Sequence, residues 1–312
     1  MAFLDALGSV LSIVIMIAVG YFLTQKKWID EEITKVFAKL VTNIGLPTMM
    51  LHNLMINFNK EKLLDAGKGL FVPFASIAIS YLCAKVFCRI FKVRKGRQGI
   101  FQSIFFVSNT IYMGLPINLA LFGEESVPYV LLYYIANTTF FWTIGVYEIS
   151  KDGTVGEAKL FSKGTLKRII SPPLLGFLSA IVLILLGINL PSFVLDSCKY
   201  LGNITTPLSM IFIGNTIYSV DLKGIKVDKD MIGALLGRFL ISPILVFIII
   251  LFYPLPSLMQ NVFIIQAAMP AMTNTAIMSR MYNADYKYAA VMVTISTLLS
   301  ILVIPIYKVL LT

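Results

Sequence analysis

Charge is what this chain has least of. Of its 312 residues only 13% are charged, against 58% apolar. A water-soluble domain needs roughly a quarter charged residues to cover its surface. Here the outside must be apolar as well, and so it faces lipid. The chain has one histidine, His52, and three cysteines, Cys83, Cys88 and Cys198. They are too few and too scattered for a disulfide or metal framework, and the cysteines read as small packing residues. No Gly-x-x-x-x-Gly-Lys-Ser/Thr loop is present, which removes ATP as an energy source. No carboxylate falls in the middle of an apolar run, since Asp5, Glu148 and Asp196 all lie near ends. Acid-based proton coupling therefore has no obvious carrier. An intramembrane protease would need a Ser/His pair, two aspartates or a His-Glu-x-x-His zinc site. None is legible, so the chain reads as no enzyme, with no cofactor and no metal.

What remains is a series of long apolar runs. The first, from Phe3 to Leu23, has neither a basic leader nor a small-residue cleavage site, and is expected to stay as a helix. A bilayer core takes about 20 residues of helix. With that ruler the sequence divides into ten spans: 3–24, 36–57, 69–91, 99–122, 127–148, 168–188, 193–220, 231–253, 258–281 and 286–311. The expected fold is an all-α integral membrane protein.

The net charge of +10 follows the same plan. The loops after the odd-numbered spans hold eighteen Lys and Arg, Lys223 and Lys226 among them, and the opposite face holds five. Basic loops stay in the cytoplasm, which puts both termini outside, in a cell membrane. The same distribution argues against nucleic acid as a partner; the partner is the lipid bilayer.

The chain also repeats itself. Span 2 reads Asn43-Ile44-x-x-Pro47-x-x-Met50 and span 7 reads Asn203-Ile204-x-x-Pro207-x-x-Met210, an offset of 160 that Tyr147 and Tyr307 share. Five spans per half force the second half to lie upside down. The expected division is repeat 1 over 1–149, a cytoplasmic linker over 150–167, and repeat 2 over 168–312. Inverted repeats are a common architecture of secondary transporters. Pro47 and Pro207 each free the carbonyl four residues back, those of Asn43 and Asn203. Both asparagines read as stabilisers of a kink near the midplane.

Two spans look interrupted at mid-depth. Span 4 contains Ser108-Asn109-Thr110-Ile111-Tyr112-Met113-Gly114-Leu115-Pro116, and span 9 contains Met269-Pro270-Ala271-Met272-Thr273-Asn274-Thr275. Polar residues, glycine and proline inside a span break the helix and need a protein-lined cavity. Breaks in corresponding helices of two halves point to a transport site. In each, a restarting helix presents unpaired N–H groups and the positive end of its dipole. A carboxylate could be held there by backbone N–H groups, the Asn109 and Asn274 amides, and the Thr110, Thr273 and Thr275 hydroxyls. A dicarboxylate could use both ends at once. Capping is the bland alternative for Asn109, and interhelical hydrogen bonding serves equally well for Thr273, Asn274 and Thr275.

Segment 108–116 resembles the crossover signature of the auxin efflux carrier family. Ala268-Met269-Pro270 followed by Tyr282-Asn283 is similar to a second family motif. The resemblance implies a fold in which spans 4 and 9 cross at their breaks. Spans 1, 2, 6 and 7 would be a scaffold, and spans 3–5 and 8–10 an elevator-like transport domain. It maps the family's substrate asparagine onto Asn109. Tyr112 and Met272 lie on the same two segments and join the substrate set, with Ser108, Gly114, Pro116 and Pro270 shaping the breaks. Ser108 stands where plant members have proline, and the linker is short. Bacterial members of the family are associated with malate, malonate and similar acids, which suits this compact form. The implied function is alternating-access transport, active or facilitated, of a small organic anion: a carboxylate such as malate or malonate, or an auxin-like acid. A homodimer is compatible with the family.

Alternatives are a sodium-coupled symporter of the related bile-acid group, proton coupling, and a membrane sensor that binds without translocating. His52 reads as a satisfied interfacial residue, with proton relay as its alternative. Lys85, Arg238 and Arg280 sit towards cytoplasmic ends and are expected to snorkel; Arg238, the deepest, has attraction of substrate from the cytoplasm as its alternative.

Overall fold

The computed structural model describes residues 2–156, 158–160, 162–220 and 227–311, with the side chains of 2–7, 9, 10 and 163 excepted. Lys223, Lys226 and the Asp5 side chain thus lie outside the described residues. Every regular element among the described residues is helical, and the sole extended pairing is one antiparallel bridge, Ser108 to Ala271. Four continuous helical stretches are long and apolar enough to cross a bilayer: Lys60–Ile90, Glu124–Asp152, Lys229–Phe252 and Tyr286–Leu310. Shorter apolar helices cover Leu11–Gln25, Thr110–Phe122 and Pro172–Leu186. The chain is a helical membrane protein.

Helix α1 is Ala2–Gln25. The Asp30 carboxylate accepts the Ile33 N–H and starts α2, Glu31–Leu40, which passes through a π turn, Val41–Gly45, into α3, Leu46–Asn57. Asn59 caps α4, Lys60–Lys68, a short helix ahead of α5, Phe71–Ile90. Helix α6, Gln98–Phe106, is followed by the break, a π turn at Thr110–Gly114, and α7, Leu115–Phe122. Then come α8, Val127–Phe140, a π turn at Phe141–Gly145, and α9, Val146–Asp152. A short α10, Lys163–Ile169, precedes α11, Pro172–Leu186. The span expected from 168 begins instead at Pro172, because Pro172 and Pro173 fit a first turn that needs no N–H. Helices α12, Ser192–Asn203, and α13, Thr205–Ser219, divide what the sequence offered as one span. Helix α14, Lys229–Leu236, widens at Gly237–Ile241 into α15, Ser242–Phe252. The last elements are α16, Ser257–Ala267; α17, Asn274–Met281; and α18, Tyr286–Leu310.

Proline explains most of the irregularity. Three of the four π turns among the described residues end one residue before an X-Pro pair: Leu46-Pro47, Leu115-Pro116 and Ser242-Pro243. A helical proline donates no N–H and its ring crowds the carbonyl four residues back. Adding one residue to the turn relieves both. At Pro47 the helix widens without breaking, and the Leu46 N–H reaches the Val41 carbonyl five residues back. At Pro207 it breaks, with α13 restarting two residues earlier. The carbonyl that Pro243 frees, Phe239, is taken by the Tyr307 hydroxyl at 2.6 Å. The Asn43 and Asn203 side chains face outward, and neither makes a side-chain hydrogen bond among the described residues.

Packing sorts the helices into two groups. In one, α1 lies along α13, and α3 lies between α11 and α12. Gly20 and Gly214 let α1 and α13 touch backbone to backbone: a Cβ at Gly20 would overlap the Ile211 carbonyl, and one at Gly214 the Ile17 carbonyl. In the other group α5, α6, α8 and α9 pack with one another and with α14 to α18. A small Met- and Ile-rich cluster joins the groups: Ile13, Ile17, Met210 and Ile213 from the first meet Met113, Ile117, Ile265, Met269 and Ile304.

Candidate functional site

The two breaks meet each other. Helix α6 ends at Phe106, and Val107 and Ser108 run extended. Helix α16 ends at Ala267, and Pro270 and Ala271 run extended opposite them. The Asn109 N–H donates to the Pro270 carbonyl at 2.8 Å. Buried backbone that leaves a helix must find partners, and here side chains from neighbouring helices supply them. The Asn137 amide of α8 accepts the Ser108 N–H at 2.9 Å and donates to the Ser108 carbonyl at 2.8 Å. On the other strand the Ser296 hydroxyl of α18 accepts the Ala271 N–H at 3.1 Å.

Asn109 then starts the next helix. Its carbonyl-type Oδ1 accepts the Tyr112 N–H at 3.2 Å, and its Nδ2 donates to Thr273 Oγ1 at 3.1 Å. Capping and contact across the crossover are therefore both made by one side chain. Gln266 donates to the Thr110 carbonyl at 3.3 Å and lies where a Cβ on Gly114 would stand, so this glycine makes the close approach possible. Tyr112 reaches the other helix group: its hydroxyl is 3.0 Å from Thr42 Oγ1, and its ring stacks on Phe212 at 5.0 Å.

A cavity of about 260 Å³ lies against this crossover. Asn109, Thr110, Tyr112, Met272, Thr273 and Asn274 all line it. Thr275 does not; it is fully buried and faces Ser103 at 3.4 Å. Ser108, Gly114, Pro116 and Pro270 sit behind the wall, while Asn43, Pro47, Asn203 and Pro207 line no part of it. Exposed Lys167 and Arg168 stand at the mouth, with Arg168 over the Trp142 ring at 4.9 Å. The rest of the wall includes Thr42, Tyr134, Thr138 and Ser171, and Tyr134 and Ser171 share a 2.8 Å hydrogen bond.

Several contributors escaped the sequence reading, and three of them shape the site most. Asn137 splints the break, and Thr138 lines the cavity with a buried side chain. Both belong to the polar run Asn137-Thr138-Thr139 inside an apolar span, a signal that was there to be read. The third is Arg238, expected to snorkel. It is fully buried, and its Nη2 donates to the Ala267 carbonyl at 2.5 Å. It lies in the π turn at Gly237–Ile241. Lys85 and Arg280 are exposed in part, the first 3.4 Å from Glu148 and the second over the Tyr286 ring. His52 is buried with Nδ1 3.1 Å from the Leu195 carbonyl, a satisfied residue. It lines a separate cleft of about 240 Å³ with Asn53, Glu124, Lys199 and Asn203.

The Tyr282-Asn283 pair has a local cause. Asn283 takes a left-handed φ of 57° just past the end of α17, a conformation asparagine tolerates, and its amide donates to Thr154 Oγ1 at 2.8 Å.

Residues 5–308 match the family model described as membrane transport protein. An uncharacterized transporter of Methanocaldococcus jannaschii is 29% identical over 310 residues, 96% of each chain. Another, of Methanothermobacter thermautotrophicus, is 24% identical over 315 residues and the full length of both. A cavity at crossed helix breaks and a family match along almost the whole chain agree: this chain belongs to the membrane transport protein family, that of the auxin efflux carriers.

Proposed function

We propose that the protein carries a small organic anion, a carboxylate such as malate or malonate, across a cell membrane by alternating access. One observation carries the reading: the two restarting helices, at Thr110 and Asn274, open onto the same cavity. Their N–H groups and dipole ends favour negative charge. Asn109, Asn274, Thr110 and Thr273 add donors, and Lys167 and Arg168 would draw an anion to the mouth. At about 260 Å³ the cavity is small for a drug-sized ligand and suits a short acid. A dicarboxylate would place one end on each restart.

The motion would divide the molecule as it packs. Spans 1, 2, 6 and 7 are the scaffold, and spans 3–5 and 8–10 carry the site in a ten-span, inverted-repeat architecture. The apolar cluster between the groups supports this, since unbranched methionines adapt to a shifting partner. The mouth lies at the linker between the halves, so this form is open towards the basic, cytoplasmic face.

The test is uptake of labelled malate and malonate by liposomes holding the purified protein, under an imposed voltage, with and without a Na⁺ gradient. Uptake is expected, with loss of at least tenfold in Asn109→Ala. Acceleration by Na⁺ would indicate the symporter alternative. A folded preparation that takes up neither acid, or does so regardless of Asn109→Ala, overturns the reading.

A further inference from the structure

Arg238 poses a question that the crossover alone does not answer. It is fully buried in a membrane protein, yet uses one donor: Nη2 meets the Ala267 carbonyl at 2.5 Å, while Nε and Nη1 have no hydrogen-bond partner. No ion pair among the described residues includes it. Its ionisable neighbours are the neutral phenols of Tyr133 and Tyr307. A buried, uncompensated guanidinium is expensive, and an apolar residue of like size would cost less. Intramembrane charge kept at such cost marks function.

The helix ends show what it does. Four ends meet at the crossover: the starts at Thr110 and Asn274, and the stops at Phe106 and Ala267. Each start carries about half a positive charge and each stop about half a negative one, so the four cancel. The two stops are treated differently. On α6 the Phe105 carbonyl accepts a neutral hydroxyl, Ser242 Oγ, at 3.0 Å. On α16 the Ala267 carbonyl accepts a full cation.

We propose that Arg238, a positioning residue outside the cavity wall, is the fixed charge that makes the crossover anion-selective. By holding the α16 stop it cancels a negative end and leaves the site net positive, without touching the ligand. The inference rests on the carboxylate reading above and adds what sets its charge preference.

The experiment compares full-length wild type with Arg238→Met and Arg238→Lys, reading inhibition of malate uptake by malonate and by malonamide, its uncharged analogue, beside thermal unfolding in detergent. Wild type is expected to prefer malonate by at least tenfold. Arg238→Met should lose most of that preference while unfolding at the wild-type temperature or above. Arg238→Lys should keep it within a few-fold. Equal preference in Arg238→Met and wild type overturns the inference. So does a Lys variant as indifferent as Met, or a Met variant that cannot be purified folded, since the cation would then serve the fold. A wild type that takes up no carboxylate removes the underlying reading, and this inference with it.

Discussion

At the residue scale, Asn137 shows how a broken helix survives in a membrane. Ser108 has left the α6 ladder, and both its backbone polar groups are answered by one amide. Replacing the amide by a methyl would bury those groups with fewer partners. A buried donor or acceptor left unmade costs about 1–3 kcal/mol, so Asn137→Ala should destabilise by about 2–4 kcal/mol. The measurement is unfolding in detergent; a loss under about 0.5 kcal/mol, no more than a neutral surface change, would mean the break is held by other means. The sequence showed where the helix would break, because Gly114, Pro116 and Pro270 are conspicuous inside apolar runs. It did not show which side chains repair the break. Asn137 is 29 residues from Ser108, and nothing in either segment names the other. Arg238 is hidden for a related reason: which side of its helix packs inward is decided by helices distant in sequence.

At the scale of elements, the long apolar runs were legible because lipid demands them, and most boundaries fall within a few residues of the helix ends. The π turns were not, since nothing in a five-residue composition separates them from α-helix. What can be read afterwards is the recurring X-Pro pair just beyond them. This link is testable at Pro243. The Tyr307 hydroxyl bonds the Phe239 carbonyl that Pro243 cannot serve. In the parent, Tyr307→Phe should cost about 1 kcal/mol. In a Pro243→Ala background the new N–H competes for the same carbonyl, and the cost of Tyr307→Phe should shrink. A double-mutant cycle by unfolding in detergent is expected to show coupling of about 0.5–1 kcal/mol. Additive effects would mean that Tyr307 does not compensate for the proline.

At the scale of the molecule, everything proposed about motion depends on which face each loop occupies. The cavity mouth carries Lys167 and Arg168 between α9 and α11, while Glu125 and Asn189 are exposed beyond the far ends of α8 and α11. If the Glu124–Asp152 and Pro172–Leu186 helices each cross once, Lys167 must lie on one side and Glu125 and Asn189 on the other. In the proposed orientation, with the basic loops in the cytoplasm, Lys167 is on the cytoplasmic side. All three cysteines are free thiols, so a cysteine-free background breaks no disulfide. Single cysteines at 125 and 189 should react with a membrane-impermeant maleimide in intact cells, and one at 167 only in inverted vesicles. Labelling of all three from one side would refute the crossing pattern, and the inverted repeat would fall with it. Labelling of 167 from outside, with 125 and 189 inside, would keep the repeat but reverse the molecule. The cavity would then open outward, and the mouth cations would gather substrate for uptake instead of release.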